Sequence, residues 1–292
     1  MSIFEGSAVA LVTPFTENGI NYDALKHLID FQIENGTDAI LVCGTTGEPA
    51  TMDPDEKHRV MKAAVEYVGG RVPLILGTGG NNTEMVIRES QYAESIGADA
   101  LLVVTPFYNK CSQEGLYQHY MKVADSVDTP IIIYNVPSRT GVNVLPATYE
   151  RLAPHENLQG IKEASGNISQ ILEIARVVKD NMTIYSGNDD QTVPIMALGG
   201  KGVISVTANI APKMVHDMCR AYLDGDHEKA LEYQLRYNPL NNIMFSDVNP
   251  IPVKTALNLM GFKAGPLRLP LCSMSETAFG KLKEVLASYS LI

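Results

Sequence analysis

The sequence predicts an α/β fold, a (β/α)8 TIM barrel followed by a C-terminal helical bundle. Three observations predict it. Apolar runs of strand length alternate eight times with amphipathic stretches of helical length. The runs are nearly continuous in apolar residues, as parallel strands covered on both faces require. A segment also repeats: Gly36-Thr37-Asp38-Ala39-Ile40-Leu41-Val42 is echoed by Gly97-Ala98-Asp99-Ala100-Leu101-Leu102-Val103, each copy making the same helix-to-strand turn. Right-handed crossovers close such a series into a barrel. An open doubly wound sheet is the rival, but Gly77-Thr78-Gly79-Gly80 lacks the third glycine of a GxGxxG nucleotide loop.

Taken in order, Ser7–Val12 reads as the first strand, closed by Thr13-Pro14. Tyr22–Asn35 is a helix with Leu25, Leu28, Ile29 and Ile33 on one stripe, Asn21 as its cap and Gly36 as its stop. Ala39–Cys43 is the second strand. Asp53, followed by Pro54 and Glu56, caps a helix that runs to about Val68. Strands at Pro73–Leu76 and Ala100–Val104 alternate with helices at Thr83–Ile96 and Gln113–Ser126. Ile131–Ile133 is the fifth strand, Pro146–Ala153 a short helix, and Leu158–Ile161 the sixth strand. Ile168–Lys179 and Gln191–Leu198 are helices around a seventh strand at Thr183–Tyr185, and Gly202–Val206 is the eighth. Beyond it, Ala211–Leu223, His227–Phe245, Pro250–Met260 and Ser275–Ser288 read as helices, with Gly261–Pro270 a loop. The expected division is a barrel over 1–224 and a helical region over 225–292, packed as one unit because no flexible linker separates them.

Composition narrows the function. The chain has 292 residues, 45 % of them hydrophobic, which is enough for a large core. A net charge of −10 with no local basic stripe argues against nucleic acid. No apolar run approaches the ~20 residues of a membrane span. The N-terminal MSIFEGSAVALVTPF lacks the positive start and long apolar core of a signal peptide. Cys43, Cys111, Cys219 and Cys272 form no CxxC pair and suggest no disulfide framework, so a reducing cytoplasm is expected.

In a barrel, chemistry gathers at the C-terminal ends of the strands. Those ends offer Gly44-Thr45-Thr46-Gly47-Glu48, then Thr105, Phe107, Tyr108 and Asn109, then Tyr134, Asn135 and Arg139, then Lys162, then Ser186 and Gly187, and last Ser205. No histidine stands among them, and no HExxH or His-x-His pair occurs, so a metal site is not expected. The six histidines fall mostly on helices and read as surface residues. No Ser–His–Asp arrangement is suggested either. What remains is a lysine directly after a buried apolar run, where an ammonium loses its hydration. In one reading Lys162 snorkels to the surface or pairs with Glu163. In the other, burial depresses its pKa and the neutral amine attacks a carbonyl. Tyr134, at the end of the preceding strand, favours the second, because a phenol there can exchange protons with the amine through a bound substrate. Thr45 and Thr46 offer hydroxyl and N–H groups to a carboxylate, or are simply turn residues.

GTTGE, YNVPSRTG, GIKEASGN and the late NPIPVK closely resemble the pyruvate-dependent class I aldolase family over essentially the whole chain. The resemblance implies a barrel enzyme that condenses pyruvate with L-aspartate 4-semialdehyde on the way to diaminopimelate and lysine. It implies Lys162 as the Schiff-base lysine and Tyr134 as proton carrier, linked through Thr45 to Tyr108, which reaches across a subunit boundary. It further implies Thr46 at the pyruvate carboxylate, Gly187 and Ile204 as backbone contacts near pyruvate, and Arg139 at the second substrate's carboxylate. A homodimer or homotetramer is implied, and no cofactor. Many members carry a lysine feedback site. Here Pro49 replaces its serine, Pro54 and Lys57 stand at its histidines, Met85 at its glutamate and Phe107 at its tyrosine, while Asn81 is kept. A cationic inhibitor needs a carboxylate, so weak or absent inhibition by lysine is expected. Other aldolases of the family, such as N-acetylneuraminate lyase or a 2-keto-3-deoxy sugar-acid aldolase, share the lysine and tyrosine. They need a longer polyol pocket, whereas Arg139 after Pro137-Ser138 suits a short, carboxylate-bearing aldehyde. A non-enzymatic binding protein on the same scaffold and a phosphate-binding barrel isomerase are the readings from other classes. Intact Lys162, Tyr134, Thr45 and Tyr108 argue against the first. Only Gly199-Gly200, which also reads as a helix-to-strand turn, suggests the second.

Overall fold

The structure is a computed structural model that describes residues 2–292. Its strands are β1 (Gly6–Ala10), β2 (Phe15–Thr16), β3 (Gly19–Ile20), β4 (Ala39–Val42), β5 (Leu74–Gly77), β6 (Ala100–Val104), β7 (Ile131–Asn135), β8 (Leu158–Glu163), β9 (Thr183–Ser186) and β10 (Gly202–Ser205). Eight of them close a barrel in the order β1-β10-β9-β8-β7-β6-β5-β4, and every pairing with a resolved register is parallel. β2 and β3 form a separate antiparallel hairpin. The expected TIM barrel with a helical C-terminal region is therefore the observed one.

The helices are α1 (Tyr22–Glu34), α2 (Pro54–Val68), α3 (Thr83–Ser95), α4 (Gln113–Ala124), α5 (Pro137–Thr140), α6 (Pro146–Leu152), α7 (Ile168–Val178) and α8 (Thr192–Ala197). Four more follow β10: α9 (Pro212–Leu223), α10 (His227–Ile243), α11 (Ile251–Leu259) and α12 (Glu276–Ser288). Their starts obey local chemistry. Asn21, Asp53, Asn82, Ser112, Asn167, Asp226 and Ser275 each accept a hydrogen bond from a first-turn N–H of the helix they cap.

The residues cluster into two compact units. One holds Ile75–Ile204 with the residues up to Glu5. Ile131, Ile132, Ile133, Leu158 and Ile161 are wholly buried there, as are Tyr120 and Tyr149. Two of its strands run further than the apolar pattern shows. β7 continues through Tyr134 and Asn135, and β8 through Lys162 and Glu163, with Tyr134 paired to Lys162 and Asn135 to Glu163. Pairing satisfies the backbone there whatever the side chains are. His119 in α4 corrects the surface reading of the histidines: it is buried, its Nδ1 lies 2.9 Å from Thr83 Oγ1, and burial pushes its pKa down to about 4.

The other unit holds Gly6–Leu74 and Ser205–Ile292. Here a buried polar network joins β1 to the turn at Thr207–Asn209. Asn209 Nδ2 donates to Ala10 O at 2.8 Å, the Val12 N–H donates to Asn209 Oδ1 at 3.0 Å, and Gln32 Nε2 donates to Ala208 O at 2.8 Å. Each buried polar atom in this set has a partner, so the network costs little and fixes the approach of the chain after β10. The four cysteines form no disulfide with one another.

Candidate active site

β7 and β8 present two pairs of side chains on opposite faces, because successive strand residues alternate. Tyr134 and Lys162 share one face, and the Lys162 Nζ lies 4.3 Å from the centre of the Tyr134 ring. Asn135 and Glu163 share the other. There Glu163 accepts from the Ser165 N–H at 2.8 Å and from Asn135 Nδ2 at 3.2 and 3.1 Å. Asn135 Nδ2 also donates to Asn143 Oδ1 at 2.9 Å, and Gln170 Nε2 donates to the same oxygen at 3.0 Å. Burial raises the Glu163 pKa, and these donors oppose it. Glu163 thus belongs to the network behind the strands and is not the partner of Lys162.

Lys162 is 5 % exposed, and burial pulls its pKa from 10.5 to about 7. The nearby Asp189 carboxylate acts against that shift, and the Arg139 guanidinium adds to it. Asp189 follows β9 in a short turn, Asp189–Gln191, and is itself buried. Its part at Lys162 was not read from the sequence, although it stands two residues after Gly187, at a strand end where acidic side chains matter. An amine with a pKa near neutrality is a competent nucleophile toward a ketone without a separate base to unmask it.

Gly187 joins this group. Its N–H donates to Glu163 O at 2.8 Å, and a Cβ at this position would sit 2.7 Å from Ala164 Cβ and 3.2 Å from Lys162 Cγ. Only glycine lets β9 close on the lysine. Arg139 lies exposed in α5, and Ile204 is wholly buried on β10, one residue beyond Val203, which pairs with Ser186. Tyr108 is not brought to Tyr134. It is 91 % exposed, with φ at 69° in the left-handed region.

Thr45 and Thr46 lie in the second unit, on a short 3₁₀ turn at Thr45–Gly47 that follows β4. Thr46 is buried and accepts a hydrogen bond from Asn249 Nδ2 at 3.0 Å. Glu48, next in line, is buried with its carboxylate 2.7 Å from Lys254 Nζ. Burial lowers the pKa of Lys254 to about 8, and Glu48 opposes the shift. Lys254, a second buried lysine, escaped the sequence reading because it lies mid-helix with no strand end to mark it. Among the described residues, no group of three His, Cys, Asp or Glu could hold a metal ion.

Known proteins resemble this chain over essentially its whole length. The profile of the dihydrodipicolinate synthetase family matches residues 3–289. A 4-hydroxy-tetrahydrodipicolinate synthase of a Thermoanaerobacter species is 57 % identical, over 100 % of this chain and 99 % of that protein. 4-Hydroxy-tetrahydrodipicolinate synthase 1 of Clostridium acetobutylicum is 54 % identical over the full length of both. The chloride-inhibited dihydrodipicolinate synthase of Acinetobacter baumannii, solved with pyruvate, superposes with a TM-score of 0.96 at 41 % identity, covering 99 % of each chain. The enzyme of Cyanidioschyzon merolae, solved with lysine bound, superposes at 0.97 with 36 % identity over the whole of both chains. With its buried lysine and neighbouring tyrosine at the tips of adjacent barrel strands, the chain belongs to the dihydrodipicolinate synthetase family.

Proposed function

We propose that the chain condenses pyruvate with L-aspartate 4-semialdehyde to give 4-hydroxy-tetrahydrodipicolinate. One observation carries the reading: an amine held near neutrality by burial, 4.3 Å from the ring of a tyrosine. The Lys162 nitrogen attacks the ketone carbon of pyruvate, and water leaves as the imine forms. The protonated imine withdraws electrons, so a methyl proton is lost and an enamine results. The enamine carbon then bonds to the aldehyde carbon, whose oxygen takes up a proton to become the hydroxyl. The amino group of the second substrate then attacks the imine carbon, which closes the ring and breaks the bond to Lys162, returning the free amine. Tyr134 carries the protons, with Thr45 and Tyr108 as its relay. Thr46 receives the pyruvate carboxylate, Gly187 and Ile204 contribute backbone contacts beside it, and Arg139 receives the carboxylate of the aldehyde. The chemistry needs no cofactor.

Tyr108 serves this relay only if a second copy of the chain accepts it, which favours a homodimer or homotetramer. Its 91 % exposure supports that reading, as does its lodging in a loop where Asn109 Nδ2 donates to Asn81 O at 3.0 Å. A cytoplasmic location fits four cysteines that form no disulfide, and no described helix is long and apolar enough to cross a membrane.

Borohydride reduction tests the reading. In the presence of pyruvate, the reduced imine leaves a stable adduct on the peptide carrying Lys162, and Lys162→Ala leaves none. An unmodified wild-type peptide, or turnover of pyruvate by Lys162→Ala at the wild-type rate, contradicts it.

A further inference from the structure

The Thr45–Gly47 turn closes through two local bonds, Gly47 N–H to Gly44 O at 2.9 Å and Glu48 N–H to Thr45 O at 3.1 Å, but its flanks are strained. The chain enters it through Cys43 at φ 59° and leaves through Glu48 at φ 54°, both in the left-handed region that side chains other than glycine avoid. Backbone of this kind persists only where its surroundings over-determine it.

The C-terminal region supplies those surroundings. Asn249 Nδ2 donates to Thr46 Oγ1 at 3.0 Å. Lys254 Nζ donates to Glu48 Oε1 at 2.7 Å, and the Arg268 N–H donates to Glu48 Oε2 at 3.2 Å. Both oxygens of one carboxylate are therefore gripped, from two directions, and its rotation is blocked. Arg268 is anchored in turn by Glu56 at 2.6 and 2.7 Å and by Thr51 O at 2.9 Å. The ring of Phe15 has Lys254 Nζ 3.9 Å and Arg268 Cζ 4.1 Å from its centre.

The imine chemistry uses neither Asn249 nor Lys254, although both belong to the NPIPVK motif. A buried ion pair is weak as a source of net stability, because desolvation offsets its attraction. What it provides is geometry. The bond from Asn249 also directs the threonine hydroxyl. With an oxygen lone pair engaged by the amide, the O–H proton of Thr46 remains to be donated, which is what a carboxylate ligand requires.

We propose that Asn249, Lys254 and Glu48 are positioning residues, through which α11 and the residue before its cap preset the 44–48 turn for the carboxylate of pyruvate. The inference rests on the reading above that Thr46 receives that carboxylate.

The test compares the double variant Glu48→Gln/Lys254→Met with Asn249→Ala. The first removes both charges together, so neither is left buried alone. The second leaves the ion pair intact. Folding is checked by circular dichroism and thermal melting. In each folded variant the KM for pyruvate rises about tenfold, the size of one lost charge-assisted hydrogen bond. The KM for L-aspartate 4-semialdehyde stays within twofold of wild type. A general loosening of the fold would move both constants. A pyruvate KM within twofold of wild type, or a parallel rise in both constants, overturns the proposal. If the double variant does not fold, Asn249→Ala decides by the same thresholds. Borohydride trapping of the wild type is run alongside: absence of that adduct removes the functional reading and the inference with it. A normal adduct beside unaltered kinetics removes the inference alone.

Discussion

Lys162 shows how burial in a strand sets the proton affinity of one side chain. Residue 162 points away from the Asn135–Glu163 network because strand side chains alternate, so the amine is buried without the carboxylate next to it in sequence. Burial then lowers its pKa from 10.5 to about 7, with Asp189 restraining the fall. That shift has a consequence for stability. Between pH 7 and 10.5 the unfolded chain holds a proton on this lysine that the folded chain has released. Stability therefore rises with pH across that window, and the full penalty applies below it. Lys162→Met removes the titrating group. Relative to wild type, this variant is expected to gain about 3 kcal/mol more stability at pH 6 than at pH 9, since roughly two units of the window lie between those values. Urea denaturation of both proteins at the two pH values measures the difference. An equal gap at both would mean that the lysine is charged in the folded state throughout.

At the scale of elements, the barrel and the surroundings of its strand ends were legible in the sequence to different depths. Continuous apolar runs located all eight barrel strands, because parallel strands buried on both faces leave that trace. The same rule truncated β7 at Ile133 and β8 at Ile161, since it is blind to strand residues whose side chains are polar. Asn21 and Asp53 were readable as caps because capping is local chemistry. The hairpin at Phe15–Thr16 and Gly19–Ile20 was not read, being too short for any periodicity, although its Asn18-Gly19 pair is a turn signal. Lys162 was legible from its strand end. Asp189 was not, because its place beside Lys162 depends on how two neighbouring strands end. Lys254 and the grip on Glu48 were not, because they depend on contacts between segments some 200 residues apart, such as the 206 positions between Glu48 and Lys254. The loop carrying that grip has its own anchor. The Gly265 N–H donates to Asn258 Oδ1 at 2.9 Å, the Phe15 N–H donates to Ala264 O at 3.1 Å, and Gly265 has φ 76°. A Cβ at Gly265 would meet Phe15 O at 1.8 Å, a backbone atom that has no way to swing aside. Gly265→Ala is expected to destabilise the protein by more than about 2 kcal/mol, from left-handed strain plus the clash. Thermal melting reads the loss. A melting temperature within a degree of wild type would show that the loop can shift off Phe15 without cost.

At the scale of the whole molecule, regulation depends on which side chains surround the reaction without taking part in it. A lysine effector carries an ammonium that must find a carboxylate once it leaves water. At the positions that the sequence resemblance assigns to a feedback site, this chain has Pro49, Pro54, Lys57, Met85 and Phe107 in place of polar and acidic groups. Met85 is 54 % exposed and Phe107 39 %, so both offer apolar surface where a lysine ligand would need charge and hydrogen bonds. Asn81, the retained residue, is occupied within its own loops: its Nδ2 donates to Phe107 O at 3.2 Å and its carbonyl accepts from Asn109 Nδ2 at 3.0 Å. The net charge of −10 does not compensate, because charges spread over a surface are screened within about 10 Å at ordinary salt. Synthase activity is therefore expected to stay within twofold of its uninhibited rate in millimolar lysine. Met85→Glu restores a carboxylate at the family's position and should bring measurable, if weak, inhibition, with the remaining deficit set by the repelling ammonium of Lys57. Initial rates across a lysine titration, for the wild type and Met85→Glu together, decide the matter: half-inhibition of the wild type at sub-millimolar lysine would mean that the effector binds by contacts other than a carboxylate at position 85.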